Sequence, residues 1–237
     1  MKFIDVEKYI EILKNADKTL CVKDYKKHKK GLIVRHDIDE SVEFAYELYK
    51  AEKANGIKST FYVLLTSDLY NPFSAQNKKR FKEMVESGFE IGLHFDPMAY
   101  EEGDLTKNFE KEIEAFEKFL GLKLYSYSMH NPSITGEYLK YPKLIDAYNS
   151  DIFNDNCYIS DSTFSFRGKD LKEYVEKSNK ELIQLLIHAD HLFSDGEISY
   201  KKPIEQMLKS YLNKIDDTYK VNRVYQTEQD EILNLLG

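Results

Sequence analysis

The feature that most limits how this chain can fold is an alternation of two periods. Residues 31–34, 57–65, 89–95, 122–129 and 182–187 are apolar, β-branched or aromatic runs of strand length. Between them, 41–55, 78–87 and 105–120 place apolar residues at helical spacing and stop at Gly56, Gly88 and Gly121. Residues 4–15 and 170–178 also read as helices, 138–148 as a helix interrupted near Pro142, and 151–165 as short strands within a loop. Ile204, Met207, Leu208, Tyr211, Leu212 and Ile215 mark a long helix near the C-terminus. Strands that alternate with helices must pair in parallel, with the helices packed on the sheet. Five or more such strands in 237 residues fit a closed or nearly closed (β/α) barrel better than an open sheet. Five prolines, ten glycines and no low-complexity tract leave no sign of a linker. The expectation is therefore an α/β single domain spanning 1–237, with 1–30 as an N-terminal helical extension and 200–237 as C-terminal helices.

Charge and hydropathy narrow the function classes. There are 34 Lys and Arg against 41 Asp and Glu, a net charge of −7, which argues against a nucleic-acid partner, since such proteins displace counterions with a basic face. No run approaches the ~18 apolar residues of a membrane span. The first eight residues carry charges where a signal peptide needs an apolar stretch, and Cys21 and Cys157 form no close-spaced motif. These features fit a cytoplasmic protein.

Four of the six histidines, His36, His94, His130 and His188, fall at or near the C-terminal ends of predicted strands. Asp37, Asp39, Asp96 and Asp190 accompany three of them. In parallel α/β folds the C-terminal strand ends meet on one face, where active sites form. Asp37 and Asp39 are two apart, so in extended backbone both carboxylates face one side while His36 and Ile38 face the other. Two carboxylates so close stay ionised cheaply only beside a cation. A divalent metal bound by one of them would leave the other free as a base; the competing structural role is for Asp39 to cap the following helix.

Five segments in order resemble the polysaccharide deacetylase family, the NodB-homology domain. Val34-Arg35-His36-Asp37-Ile38-Asp39 stands where the family has T-F-D-D-G-P, in the D-x-D form of its atypical members. Ser59-Thr60-Phe61-Tyr62-Val63 resembles A-T-F-F-V, and Glu90-Ile91-Gly92-Leu93-His94 resembles E-I-G-x-H. His130-Asn131-Pro132 matches R-x-P, and Leu185-Leu186-Ile187-His188 matches L-x-x-H. The resemblance covers roughly residues 32–193. It implies a distorted (β/α) barrel and a metal-dependent hydrolase that cleaves a linear amide, removing an N-acetyl group from an amino sugar or its activated, precursor-linked form. It also implies Asp37 as general base, Asp39 and His94 as metal ligands, and His188 as general acid.

Three departures shape the expected site. Met98 stands at the second metal histidine, and a thioether suits a hard catalytic ion poorly. His130 replaces an arginine that braces the base, and a tryptophan of the fourth motif is missing from the segment Asp161 to Arg167. Catalytic zinc sites take three protein ligands and keep one position open. The substitutes for Met98 are His36, Asp96, His130 and His188. His36 points away by strand alternation and His188 is wanted as the acid. His130 is therefore the expected third ligand, with Asp96 as runner-up. Asp96, Asn131, Asp161, Arg167 and His191 are expected to bind substrate or support the site, His191 either at the pocket rim or on the surface. The expected cofactor is a divalent ion, Zn²⁺ first. The alternatives are a carbohydrate-binding protein with a degenerate metal site and a hydrolase of small cyclic amides on the same fold.

Overall fold

A computed structural model describes residues 2–100, 104–136 and 138–234. The strands are β1 (Thr19–Leu20), β2 (Gly31–Ile38), β3 (Thr60–Leu64), β4 (Glu90–Phe95), β5 (Ser126–Met129), β6 (Ile145–Asp146), β7 (Tyr158–Ser160) and β8 (Leu182–Leu186). The helices are α1 (Val6–Leu13), α2 (Val42–Ala54), α3 (Ala75–Glu86), α4 (Leu105–Ala115), α5 (Pro132–Thr135), α6 (Leu171–Lys177), α7 (Ala189–Leu192), α8 (Lys201–Tyr219) and α9 (Arg223–Leu233). All strand pairs are parallel, in the order β6-β5-β4-β3-β2-β8-β7. The sheet is a curled, distorted (β/α) barrel, and among the described residues no ladder joins the edges β6 and β7. Side chains bridge that gap: Tyr148, Phe153 and Tyr158 meet edge to face, and Gln184 Nε2 on β8 donates to Ala147 O and Ile152 O.

Strand alternation divides the sheet into an apolar outside and a polar inside. Leu32, Val34, Phe61, Val63, Ile91, Leu93, Phe95, Tyr127, Ile183, Leu185 and Ile187 belong to the large core beneath the helices. The intervening positions point inward. They are Arg35 and Asp37 on β2, Tyr62 on β3, Glu90, Gly92 and His94 on β4, and Ser126 and Ser128 on β5. Glu90 closes the lower interior by accepting from Thr60 Oγ1, Ser126 Oγ and the Lys23 N–H, so this buried carboxyl is fully partnered. Gly92 is required by packing: a Cβ there would lie 2.3 Å from Cε1 of Tyr62, whose ring crosses the interior.

Two expectations need correction. Residues 1–30 are not an appended helical extension. After α1, β1 pairs in parallel with Leu32 and Ile33 before β3 takes over at Arg35, and Tyr9 of α1 is buried with its hydroxyl on Glu52. Nor does 138–148 form a helix. Pro142 lacks an amide donor, and the Ile145 and Ala147 N–H groups bond to Tyr125 O and Tyr127 O, laying this stretch beside β5 as an edge strand. The predicted strand 31–34 runs on to Ile38, every residue buried, and the expected C-terminal helices are α8, which contains the predicted run 204–215, and α9. Among the described residues no helix is long and apolar enough to cross a membrane. Cys21 and Cys157 are free and buried.

Candidate metal centre

The inward column of each strand delivers its last polar residue to one end of the barrel. Asp37 lies within β2, and Asp39 follows its end. The helix cap after it is Ser41, whose Oγ accepts the Phe44 N–H at 3.3 Å, so Asp39 does not cap α2. His94 is the fifth residue of β4, and its Nδ1 faces Ser128 O at 3.3 Å. A proton on Nδ1 for that carbonyl leaves the Nε2 lone pair aimed into the site. The His130 N–H donates to Phe95 O at 2.8 Å, which extends the β4–β5 ladder and sets His130 beside His94.

Three ligand-type atoms converge here. His94 Nε2 is 3.1 Å from Asp39 Oδ1, His130 Nδ1 is 3.3 Å from the same oxygen, and the two nitrogens are 3.2 Å apart. Asp39 Oδ1 is buried and has no hydrogen-bond partner. Three lone-pair donors facing one another need protons or a cation between them. Three ligands of one tetrahedral ion, each at about 2.0–2.1 Å, lie about 3.3–3.4 Å apart, so this near-equilateral triangle fits a zinc-sized ion. The electrostatics agree. Burial alone would raise the Asp39 carboxyl, yet His130 and His94 hold it well below the usual carboxylate range. Burial alone would lower the His130 imidazole, and Asp39 raises it instead.

Two braced groups flank the triangle. Asp37 Oδ2 is 3.5 Å from Nη2 of Arg35 and 3.9 Å from His94 Nε2, while its Oδ1 is buried without a partner. Arg35 is fully buried; Nη1 donates to Ser128 Oγ at 2.8 Å, Nη2 to Tyr148 Oη at 3.1 Å, and the guanidinium lies over the Tyr148 ring. On the other side, His188 Nε2 is 3.8 Å from Asp39 Oδ2, and its Nδ1 is 2.6 Å from Asp161 Oδ1. The fully buried Asp161 also accepts the His188 backbone N–H and faces His191 Nδ1 at 2.8 Å. Burial would raise Asp161, but His188 and His191 bring it down to about 2. Burial would lower His188, but Asp161, then Asp39 and Asp37, push it up to about 10.

A pocket opens over Asp37, Asp39, His94, His130 and His188, walled by Tyr138, Tyr148, Phe153, Tyr158 and Arg167. The remaining expected residues divide. Asn131 has left-handed backbone (φ 45°), and its Nδ2 lies 2.8 Å from His130 Nε2. Asp96 is not brought to the site: its Oδ1 accepts the Met98 N–H in its own turn, and Met98 is 75% exposed. His191 is neither at the rim nor on the surface. It is buried, stacked 3.8 Å from the Phe164 ring and tied to Asp161 and Tyr200. His36 faces away from the pocket, between Ile187 O and Glu52. Asp161, His188 and His191 form a second group of metal-ligand type, but both Nδ1 atoms there already meet the Asp161 carboxylate. Sequence reasoning missed Arg35 and Tyr148. The available signal was that Arg35 stands two before Asp37 and so shares its strand face.

No protein-family model matches the chain, and no curated protein does. Among solved structures, it is similar to the chitin deacetylase from the fungal pathogen Colletotrichum lindemuthianum, with 14% identity, 76% of this chain and 81% of that one covered, and a TM-score of 0.46. It is similar to the peptidoglycan deacetylase PdaC from Bacillus subtilis, with 14% identity, 83% and 98% covered, and a TM-score of 0.44. A Streptococcus mutans CE4 esterase is similar at 12% identity, with 90% and 89% covered and a TM-score of 0.47. At these identities, the chemistry of the site rests on the chain's own residues.

Proposed function

We propose that this protein is a metal-dependent deacetylase that hydrolyses the acetamido group of an amino sugar or of its activated precursor. The observation that carries this reading is the triangle of Asp39 Oδ1, His94 Nε2 and His130 Nδ1, with sides of 3.1–3.3 Å, open to a pocket and flanked by Asp37 and His188. These three residues would hold a divalent ion, Zn²⁺ in the first instance, which supplies polarisation of the amide carbonyl and a more acidic water. Asp37 is the general base. Arg35 fixes its Oδ2, and the unpartnered Oδ1 is free to take the proton of the attacking water. His188 is the general acid. Its Nδ1 is committed to Asp161, so Nε2 carries the proton delivered to the departing nitrogen. The acyl C–N bond breaks and the products are acetate and a free amine. The aromatic wall of Tyr138, Tyr148, Phe153 and Tyr158 suits the apolar face of a sugar ring.

The test is acetate release by purified, Zn²⁺-loaded protein from a panel of N-acetylated hexosamines, free and as activated precursors. Turnover of at least one, abolished by chelator and restored by metal, is expected. Binding of panel sugars with no acetate released by metal-loaded protein would instead favour a carbohydrate-binding role.

A further inference from the structure

The pocket holds one cation that the proposed chemistry does not use. Arg167 lines the same pocket as Asp37, Asp39 and His188, and its guanidinium pairs with no carboxylate among the described residues. Its position is fixed by a loop in uncommon backbone. Thr163, Phe164 and Arg167 have φ of 59°, 54° and 53°, and Gly168 has 80°. Left-handed backbone is disfavoured for L side chains and persists where packing over-determines it, which happens most at ligand sites. Packing does so here. Phe164 is buried between His191 and Phe3, Phe166 stacks on Phe3, the Ser165 N–H bonds to Asp161 O, and Lys169 Nζ bonds to Asp155 O and Tyr158 O. The loop is therefore pinned at both ends, and the residue it presents to the pocket is Arg167.

The charges give this placement a consequence. Asp37 is balanced by Arg35, and His188 by Asp161. Arg167 has no such partner among the described residues. A neutral acetamido sugar would leave this guanidinium uncompensated at the pocket mouth.

Resting on the deacetylase reading, we propose that the substrate sugar carries an anionic group, a phosphate ester or a carboxylate, and that Arg167 binds it. The planar guanidinium fork matches both groups in bidentate geometry. The Ser160 and Ser162 hydroxyls line the same pocket and bond to each other at 2.6 Å, which leaves one O–H of the pair to donate to the anion. Arg167 is then a specificity residue that separates precursor-linked or acidic sugars from neutral ones.

The experiment measures binding to Zn²⁺-loaded protein by calorimetry, and acetate release, for N-acetylglucosamine, its 1-phosphate and its uronic acid. Wild type, Arg167→Gly and Arg167→Lys are compared. Glycine accepts the left-handed backbone, so Arg167→Gly keeps the loop. Wild type should bind at least one anionic sugar 10-fold or more tighter than the neutral one. Arg167→Gly should remove that preference, and Arg167→Lys should keep part of it. Preference for the 1-phosphate alone assigns a phosphate site, and preference for the uronic acid alone a carboxylate site. Equal affinity for all three in wild type, or a preference that survives in Arg167→Gly, overturns the proposal. An Arg167-dependent preference without acetate release keeps the anion site and removes the deacetylase reading. Acetate release without any preference does the reverse.

Discussion

Replacing Asp161 by Asn keeps the size of the side chain and removes the charge that holds His188. The native carboxylate, fully buried, faces the Nδ1 of His188 and of His191 and takes the His188 backbone N–H. An amide offers one acceptor oxygen, and its NH₂ group cannot meet an Nδ1–H. In the native protein His188 is pushed up to about 10 despite its burial, so it is protonated at neutral pH. With an ordinary histidine value near 6.5, only about 3% of the variant is protonated at pH 8, against about 99% of wild type. The variant should therefore lose about 30-fold in kcat/KM at pH 8, and most of the deficit should close at pH 6. The carboxylate side moves less, down to about 2, because Asp39 and Asp37 add to the rise of His188. That smaller displacement, from 3.8, sets the worth of the pair at about 2 kcal/mol. The stability from a depressed carboxyl is present above about pH 4 and lost as pH falls toward 2. The stability from a raised imidazole is complete below about 6.5 and lost as pH rises through 10. Both describe one ion pair, which therefore contributes most between about pH 4 and 6.5. Acetate release from pH 5.5 to 9.5, with urea unfolding at pH 6, measures both effects. A basic limb at the same pH in variant and wild type would refute the claim that Asp161 governs the proton on His188.

Arg35→Met should destabilise the protein by about 3–5 kcal/mol, because it leaves the Asp37 carboxylate buried and unpaired; urea unfolding measures it. Asp37→Asn should lower kcat by 10²–10⁴-fold with metal content unchanged, read by acetate release and elemental analysis; lost metal with surviving turnover would reverse base and ligand. Gly92→Ala should cost about 1–3 kcal/mol in urea unfolding, since the Tyr62 ring in its path is held by the bond from its hydroxyl to Ser126 at 2.8 Å.

Much of the fold was legible because parallel strands announce themselves as apolar runs. The D-x-D spacing placed Asp37 and Asp39 on one face, and alternation turned His36 away; both hold in the structure. The part that was not legible lies where tertiary contacts override local pattern. Residues 138–148 have helical composition, but their amides are claimed by β5 carbonyls. Arg35 sits inside an otherwise apolar run, and only curling the sheet shows that its guanidinium spans to Ser128 and Tyr148. His191 looks like a loop residue in sequence and is buried because the left-handed turn at Thr163 and Phe164 folds an aromatic ring over it. Asp96 follows His94 by two and would share its face if β4 continued. The strand ends at Phe95, and Asp96 starts a 3-10 turn instead.

The central claim is that Asp39, His94 and His130 together bind the metal. The most direct measurement is a crystal structure of protein grown with Zn²⁺, with anomalous data collected on both sides of the zinc edge. The account predicts one strong peak within about 2.0–2.2 Å of an Asp39 oxygen, His94 Nε2 and His130 Nδ1. A peak held by Asp39 and His94 with His130 turned away, or one centred on Asp161, His188 and His191, would contradict it.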